Sequence, residues 1–219
     1  MSETHGDAFS VALRRASAQD HSAAESTGYM TDLMAGRLPL SAYAALTARL
    51  HPVYVALEEA AEAMRDHPVA GRFVFAELTR RPSLEADLVT LLGRDWHERA
   101  GESPAARAYA SRIREVAFTW AGGFVAHHYV RYLGDLSGGQ IIGRSVERAY
   151  DLKDGEGTSF YRFPDLKAKP FKDAYRALLD EAPFDDGDKR RIVAEVRLAY
   201  ELNTAIFHEL GGLDWDEAA

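Results

Sequence analysis

Cysteine is absent from the 219-residue sequence. Its absence excludes disulfide bonds, zinc sites with thiolate ligands, iron–sulfur clusters and cysteine nucleophiles. The sequence also lacks any run of about 18 apolar residues that could span a membrane, and Met1–Arg15 lacks the apolar stretch of a secretory signal. We therefore expect a cytoplasmic protein with no membrane anchor.

Positive charge is in deficit, with 26 Lys and Arg against 34 Asp and Glu and a net charge of -8 at pH 7. A sequence-independent nucleic-acid binder needs a basic face that neutralises phosphates, so nucleic acid is not an expected partner. Hydrophobic residues make up 47% of the chain. At this length they predict one domain over residues 1–219, with a core large enough to enclose a sizeable ligand, and we expect a monomer.

Alternation of β-branched and polar residues, the pattern of a half-buried strand, is nearly missing, whereas Ala, Leu, Arg and Glu dominate long windows. This composition and its helical period predict an all-α fold. The predicted helices cover Asp7–Ser26, Met30–Ala35, Ser41–Asp66, Gly71–Glu77, Ser83–Leu92, Pro104–Tyr150 with a break, Lys169–Glu181 and Asp185–Leu210. The long connection over Asp151–Lys167 is rich in aromatic residues, and we expect it to pack on the body of the domain.

The first predicted helix carries a histidine that could bind a metal. At about 100° per residue, Arg14, His21 and Glu25 fall on one face of this helix. Imidazole is the commonest biological metal ligand, and a carboxylate one turn away can fix its second nitrogen. Arg14 lies about 10 Å from His21 along the helix axis, so its side chain could reach an anionic edge of a large flat ligand. A solvated helix face with an ordinary His–Glu pair explains the same pattern.

Glycines interrupt a strongly helical segment over Tyr129–Gln140. Gly134 and Gly138 are four residues apart, as are Gly139 and Gly143, so a helix stripe without side chains could lie against something flat. Each interior glycine costs about 1 kcal/mol relative to alanine, and glycine also permits a kink. Either a neighbouring helix or a planar cofactor could occupy the stripe.

Polar residues accompany these glycines where a helix-packing seam would need apolar ones. They are Tyr129, Arg131, Asp135 and Ser137. A buried carboxylate without partners is costly, so Asp135 in this position favours a hydrogen-bonded water network beside a ligand over a packing seam.

A cationic cluster lies in a later predicted helix. Lys172 and Arg176 are four residues apart, and Tyr175 adds a hydroxyl beside them. Together with Lys169 they could clamp an anionic group. A solvated, charged helix face is the alternative interpretation of the same residues.

Other kinds of metal site have little support in the sequence. No histidine has a glutamate three residues before it, so the Glu-x-x-His pairs of carboxylate di-iron bundles are missing. His127 and His128 diverge by about 100° on a helix, so at most one of them can face a given pocket. The face around His21 suits a single axial ligand better than a carboxylate metal cluster.

The segment Tyr132–Gln140, with the sequence YLGDLSGGQ, is very similar to the signature of the haem oxygenase family, whose members degrade haem to biliverdin, carbon monoxide and ferrous iron. Further similarity extends over almost the whole chain. It includes His21 with Glu25 and Met30, and the segments Tyr54–Glu59, Ser83–Leu88, Phe124–Tyr129, Phe171–Arg176 and Asn203–Leu210. The resemblance implies the family's single-domain helical fold, with haem between the first helix and a kinked, glycine-rich distal helix, and the family's activity.

The resemblance also implies roles for individual residues. His21 would be the proximal iron ligand, and Glu25 would support it. Gly134 and Gly138 would form the distal wall, close to the haem plane. Asp135 would deliver protons through ordered water that it shares with other polar side chains. Those side chains are Tyr54, Tyr129 and Arg131.

The family's substrate contacts transfer by position as well. The residues that would hold the two propionates are Arg14, Lys172, Tyr175 and Arg176. The other haem contacts would be Met30, Tyr129, Ser137, Tyr200, Asn203 and Phe207. Two positions depart from relatives, because Ala18 stands where some carry a second basic residue and Tyr200 stands where Phe often faces the pocket.

Haem b would be both cofactor and substrate, with O2 as co-substrate and electrons from an external reductase. The donor would be a ferredoxin, a flavodoxin or a flavoprotein reductase, and the α-meso carbon is the expected site of ring opening. The membrane tail of the animal enzymes is absent, so the sequence resembles soluble bacterial members. A haem-storage protein on the same scaffold is the main alternative, since storage needs no proton relay at Asp135. A thiaminase-like enzyme is a third interpretation, which lacks its cysteine nucleophile here.

Overall fold

The structure, a computed structural model, describes residues 7–215. These residues form eleven α-helices and no β-strand, which confirms the all-α prediction. The α-helices are α1 (Phe9–Ala16), α2 (Ala18–Glu25), α3 (Gly28–Met34), α4 (Leu40–Ala63), α5 (Arg81–Leu92), α6 (Trp96–Arg99), α7 (Pro104–Val116), α8 (Ala121–His128), α9 (Gln140–Ala149), α10 (Ala168–Glu181) and α11 (Asp186–Gly211). Turns of 3₁₀ helix cover Ala70–Phe73, Ala76–Leu78 and Ser159–Tyr161, and π-helical turns cover Tyr129–Leu133 and Asp135–Gly139. The predicted domain over residues 1–219 includes both ends, which lie outside the described residues.

Two long helices form the centre of the fold. α4 packs against α5 and α7, while α11 packs against α2, α7 and α8. Their contacting faces bury large apolar side chains such as Leu57, Ile192 and Ile206 in the main core cluster. Because α2 and the π-helical turn over Tyr129–Leu133 both pack on α11, a space between them can be enclosed. None of the helices within residues 7–215 combines the length and the apolar character needed to cross a membrane.

The predicted first helix, Asp7–Ser26, is divided at Ser17 into α1 and α2. The hydroxyl of Ser17 donates a hydrogen bond of 3.0 Å to the carbonyl oxygen of Leu13, and the Ser17 backbone has φ -101° and ψ 3°. A serine that bonds back to the preceding turn weakens and bends a helix. The prediction of one continuous helix was therefore wrong at Ser17.

The break predicted within Pro104–Tyr150 lies between α7 and α8, before the glycine-rich segment. Gly122 and Gly123 permit this turn, because an added Cβ would stand 2.8 Å and 2.6 Å from atoms of the Trp120 ring. From α8 the chain continues through both π-helical turns into α9. The glycines of residues 134–139 consequently lie inside a continuous run of helical turns.

The helix predicted over Gly71–Glu77 was wrong, because the chain forms two short 3₁₀ turns in this region. Gly71 lies against the end of α4, where an added Cβ would stand only 2.3 Å from the carbonyl oxygen of Arg65. This close approach of two backbone segments depends on tertiary packing, and it replaces the regular helix that the local sequence favours.

The connection over Asp151–Lys167 packs on the body of the protein, as predicted. Asp87 on α5 accepts hydrogen bonds of 2.8 Å from the backbone N–H groups of Ser159 and Phe160. The hydroxyl of Tyr43 on α4 donates a hydrogen bond of 2.8 Å to the carbonyl oxygen of Gly157. These contacts fix the 3₁₀ turn over Ser159–Tyr161 against the helices around it.

Candidate active site

Two adjoining cavities lie between α2, α11 and the helical run that carries the glycines. The space between the lining atoms, including the part open to solvent, is about 700 Å³ in the inner cavity and about 1010 Å³ in the outer one. His21, Gly134 and Tyr200 line both of them, so the two cavities form one site. The walls of the inner cavity are largely apolar, with side chains from Ala24, Met30, Leu46, Leu50, Val130, Ile142 and Phe207.

His21 extends from α2 to the boundary of the two cavities. Its Nδ1 atom lies 3.4 Å from Oε2 of Glu25, and its ring meets the Tyr200 ring edge-on with centroids 5.8 Å apart. The His21 side chain is 43% exposed, so the imidazole is accessible to a ligand in the cavity. With Nδ1 turned towards the carboxylate, Nε2 is the nitrogen left for a metal. The predicted pairing of His21 with Glu25 is present.

The glycine stripe has two separate faces. An added Cβ at Gly134 would meet no atom within 4 Å, and one at Gly138 would stand 3.1 Å from Oε1 of Glu25. Both glycines line the inner cavity, where Gly134 leaves open space and Gly138 lies against Glu25. Cβ atoms at Gly139 and Gly143 would stand 3.2 Å and 2.8 Å from the Tyr161 side chain. The stripe therefore has one face in the cavity and one face packed against Tyr161, and a planar cofactor at the first face stays a prediction.

The helical run around the glycines is widened. Two π-helical turns, Tyr129–Leu133 and Asp135–Gly139, flank Gly134. Turns of this kind occur mostly as local bulges, frequently at functional sites. The guanidinium of Arg131 lies 3.5 Å from Oδ1 of Asp135, one turn along the run, and both residues line the inner cavity.

A buried hydrogen-bond network surrounds Asp135. The hydroxyl of Tyr54 donates to Oδ2 of Asp135, and Nε of Arg131 donates to the same hydroxyl over 3.1 Å. Nη1 of Arg131 also donates to the side-chain oxygen of Asn203 on α11. The predicted association of Asp135 with Tyr54 and Arg131 is therefore present, and Asn203 extends it to the opposite wall of the cavity.

The surroundings of Asp135 raise the pKa of its carboxyl. Burial raises its pKa above the usual range of an aspartate, and Arg131 and the Tyr54 hydrogen bond oppose that rise. Burial alone would lower the pKa of Arg131, but Tyr54 and Asp135 raise it overall, so its guanidinium stays charged. A carboxyl with a raised pKa beside a fixed positive charge is suited to exchanging protons at a ligand.

The outer cavity has a cationic lining. The three cations are Arg14, Lys172 and Arg176, and Tyr129 and Ser137 lie beside them. Nζ of Lys172 donates to the hydroxyl of Ser137 over 2.9 Å and to the carbonyl oxygen of Leu136 over 3.3 Å. Burial and the charge of Arg176 lower the pKa of Lys172. Two positive charges held this close favour an anionic ligand.

Tyr175 was wrongly assigned to this cationic group. Its side chain is fully buried and lies outside both cavities, with its hydroxyl 3.0 Å from Nδ1 of His128. Its ring packs edge-on against Phe73, with centroids 5.1 Å apart. Adjacent residues on a helix point about 100° apart, so Tyr175 faces the core while Arg176 faces the cavity.

Tyr129 has a different position from the one expected of a relay residue. It lines the outer cavity, and after burial the charges of Arg176 and Arg14 are the main influences on its pKa. Its hydroxyl is therefore on the cationic side of the site, whereas Asp135, Tyr54 and Arg131 lie on the inner side. Among the described residues Tyr129 forms no direct hydrogen bond with Asp135, Tyr54 or Arg131, so its sharing of ordered water with Asp135 and its role as a ligand contact both stay predictions.

Sequence reasoning missed several lining residues, of which Tyr161 is the most polar. The others in the inner cavity are Ala24, Leu46, Leu50, Val130 and Ile142. Leucine, valine and isoleucine at helical spacing carry no signal that separates a cavity wall from an ordinary core. Tyr161 comes from the connection after α9, where no local pattern indicates which way a side chain points.

The lining fits a flat, amphipathic ligand such as haem. The apolar inner walls match a macrocycle, and the cations of the outer cavity match two carboxylates at one edge. His21 offers an imidazole nitrogen, and the space beside Gly134 admits a ligand close to the backbone. Within residues 7–215 no group of three or more His, Asp or Glu is arranged to hold a metal ion.

Comparison with known proteins gives a consistent result. The sequence model of the family described as "Heme oxygenase" matches residues 7–209. Heme oxygenase 1 of Nostoc sp. is 41% identical over 201 residues, which are 91% of this chain and 84% of that protein. Heme oxygenase 1 of Homo sapiens is 36% identical over 205 residues, which are 92% of this chain and 71% of that protein.

Solved structures support the same relationship. The crystal structure of heme oxygenase-1 from the cyanobacterium Synechocystis sp. PCC6803 in complex with heme has a TM-score of 0.88 and 39% identity, covering 94% of this chain and 93% of that chain. Heme oxygenase from Leptospira interrogans has a TM-score of 0.87 and 37% identity, covering 92% of this chain and 99% of that chain. Because these matches extend over almost all of the described residues, the chain belongs to the haem oxygenase family.

Proposed function

We propose that the two cavities together bind haem, whose iron His21 would hold, for the reaction in which haem oxygenases, this chain included, release biliverdin, carbon monoxide and ferrous iron. The observation that supports this binding mode best is a single histidine that shares an apolar cavity with Gly134 and Asp135, next to a cavity lined by cations. Bound haem supplies the iron at which O2 is activated, with electrons from an external donor.

The residues of α2 hold and orient the substrate from one side. His21 binds through Nε2, and the carboxylate of Glu25 near Nδ1 fixes the ring and keeps the imidazole electron-rich. Met30 and Phe207 close the apolar end of the site, and both are buried. This arrangement leaves the opposite face of the inner cavity to the glycine-containing run.

Asp135 holds and moves a proton on that opposite face. Tyr54 donates to Oδ2, and Arg131 lies beside Oδ1, so both carboxyl oxygens are oriented before any ligand enters. Burial raises the pKa of Asp135, which makes its carboxyl a better proton acceptor than an exposed aspartate. Asn203 and Tyr54 hold the Arg131 guanidinium in place. Its positive charge therefore stays close to the part of the cavity where O2 would react.

The outer cavity fixes the direction in which haem enters. Arg14, Lys172 and Arg176 bind the propionates, so the opposite edge of the macrocycle lies in the inner cavity. We propose the α-meso carbon as the site of ring opening. The electron donor is a ferredoxin, a flavodoxin or a flavoprotein reductase, and the protein acts as a monomer in the cytoplasm.

The test of this function is an aerobic absorbance time course of the purified protein with haemin, started by a chemical reductant. Catalase is present throughout, so that free hydrogen peroxide does not open the ring. We expect a Soret band that forms on binding and then decays as the broad red absorption of biliverdin appears. A stable ferrous–oxygen spectrum would contradict oxygenase activity and favour haem carriage.

Replacement of Lys172 and Arg176 by Ala is expected to weaken haem binding about 10-fold, because two charge-assisted contacts at a partly exposed site are lost. The measurement is a titration of the Soret band. Lys169→Ala is the matched control, since Lys169 has the same charge on the same helix but is paired with Asp173 outside the cavities. Equal affinity in the double variant and the control would contradict the propionate assignment.

A further inference from the structure

Tyr161 lines the inner cavity but has no role in the function described above. It ends the 3₁₀ turn Ser159–Tyr161, and its side chain is buried. Its ring packs against Gly139 and Gly143, whose missing Cβ atoms leave room for it. Asp87 holds the backbone of the same turn, so the Tyr161 ring has a fixed position beside the cavity.

The hydroxyl of Tyr161 differs from those of two neighbouring tyrosines. Tyr29 and Tyr43 are close enough for Tyr161 to influence their titration. The hydroxyl of Tyr29 donates to the carbonyl oxygen of Ala42 and that of Tyr43 to Gly157, both over 2.8 Å. Within residues 7–215 the Tyr161 hydroxyl forms no hydrogen bond. The hydroxyl is therefore open to the cavity that its residue lines, where water or a ligand can bind it.

Asp135 and Tyr161 lie side by side at Gly139, because an added Cβ there would stand 3.2 Å from Cδ1 of Tyr161 and 3.5 Å from Cβ of Asp135. Burial raises the pKa of Tyr161, the Asp135 carboxylate raises it further, and Arg131 lowers it. The hydroxyl therefore keeps its proton and can donate. A carboxylate has more acceptor positions than Tyr54 and Arg131 use, so Asp135 can accept another hydrogen bond.

We propose that the Tyr161 hydroxyl is a positioning group that binds an ordered water beside Asp135 at the inner end of the cavity. The hydroxyl donates to this water, and the water donates to the Asp135 carboxyl, so Asp135 has a second oriented neighbour besides Tyr54. Tyr161 itself changes neither charge nor covalent structure, because Asp135 carries the proton. The inference rests on the proposed function, since the water serves the proton transfer at Asp135.

The test compares Tyr161→Phe with Tyr150→Phe, each purified as the full chain and loaded with haem. Phe keeps the ring and removes only the hydroxyl. For Tyr161→Phe we expect an unchanged melting temperature and haem affinity, and single-turnover ring opening that is roughly 3- to 10-fold slower, the ratio that one hydrogen bond corresponds to. We also expect the acid-to-alkaline transition of the ferric complex, read from its visible spectrum, to move to higher pH. The reason is that the alkaline form loses the hydrogen-bond donor that the Tyr161 hydroxyl supplied.

The control variant is expected to behave in the opposite way. Tyr150→Phe loses a hydrogen bond of 2.8 Å to the carbonyl oxygen of Leu38 outside both cavities, so its melting temperature falls while its spectral transition and its ring-opening rate stay at the wild-type values. The inference is overturned if Tyr161→Phe leaves both the spectral midpoint and the rate unchanged, or if its haem affinity falls in parallel with its rate. Wild-type protein that binds haem without opening it overturns the proposed function and this inference together, whereas a normal wild type with a normal Tyr161→Phe variant overturns only the inference.

Discussion

Asp135→Ala is expected to bind haem with about wild-type affinity. Its rate of biliverdin formation should fall by a factor on the order of 100 or more. The affinity is retained because the apolar walls and the cations of the outer cavity are unchanged. The rate falls because the one buried carboxyl of the inner cavity with a raised pKa is removed. A Soret titration measures binding, and single-turnover biliverdin yield under catalase measures ring opening.

A second variant separates proton transfer from simple loss of hydrogen bonds. Asp135→Asn keeps an oxygen that accepts from Tyr54 but cannot release a proton at neutral pH. We expect Asp135→Asn to be nearly as slow as Asp135→Ala, and Tyr54→Phe to show a smaller loss. A full biliverdin yield from Asp135→Asn at the wild-type rate would refute the proton role, even if Asp135→Ala were inactive.

The long helices could be predicted from the sequence to within a few residues. The prediction Asp185–Leu210 corresponds to α11 at Asp186–Gly211, and the prediction Ser41–Asp66 corresponds to α4 at Leu40–Ala63. Both have apolar residues at helical spacing over many turns, and Asp185 caps α11 by accepting a 2.8 Å hydrogen bond from the backbone N–H of Asp188. Local signals of this strength need no tertiary information.

The errors arise where tertiary contacts decide the local structure. Gly71 turns against the carbonyl oxygen of Arg65, a contact that the sequence around residues 71–77 does not reveal. Tyr175 and Arg176 are neighbours on α10, and which of them faces the cavity depends on the aromatic residues that α10 covers, Phe73 among them. Tyr161 approaches Asp135 from the connection after α9, so only the packed structure brings the two together.

The centre of the site was more accessible to sequence reasoning because its residues are close in the chain. Gly134 and Asp135 belong to one short segment, and His21 and Glu25 are one helical turn apart. The resemblance to haem oxygenases linked these two segments, which the geometry around Gly138 and Glu25 brings together. The division of the glycines into a cavity face and a packing face required the structure, because spacing alone fits both uses.

His21→Ala is expected to lose the spectrum of a histidine-bound haem. Loss of a residue that only supports a metal ligand lowers activity roughly 10- to 100-fold, so loss of the ligand itself should lower the rate of ring opening by at least that factor. Much of the haem affinity remains, because burial of the macrocycle between apolar walls does not depend on the imidazole. The removed side chain leaves a space at the boundary of the two cavities, so added imidazole should enter it and restore the wild-type spectrum and part of the activity.

The matched control is His208→Ala, which removes an exposed histidine of α11 that lines neither cavity. Its spectrum and ring-opening rate should equal those of the wild type. Glu25→Gln gives a graded intermediate, because it keeps His21 but replaces the carboxylate 3.4 Å from Nδ1 by a neutral amide. The bond between iron and imidazole is expected to be strongest in the wild type, weaker in Glu25→Gln and weakest in His21→Ala with added imidazole. An unchanged ferric spectrum in His21→Ala without imidazole would show that another residue binds the iron.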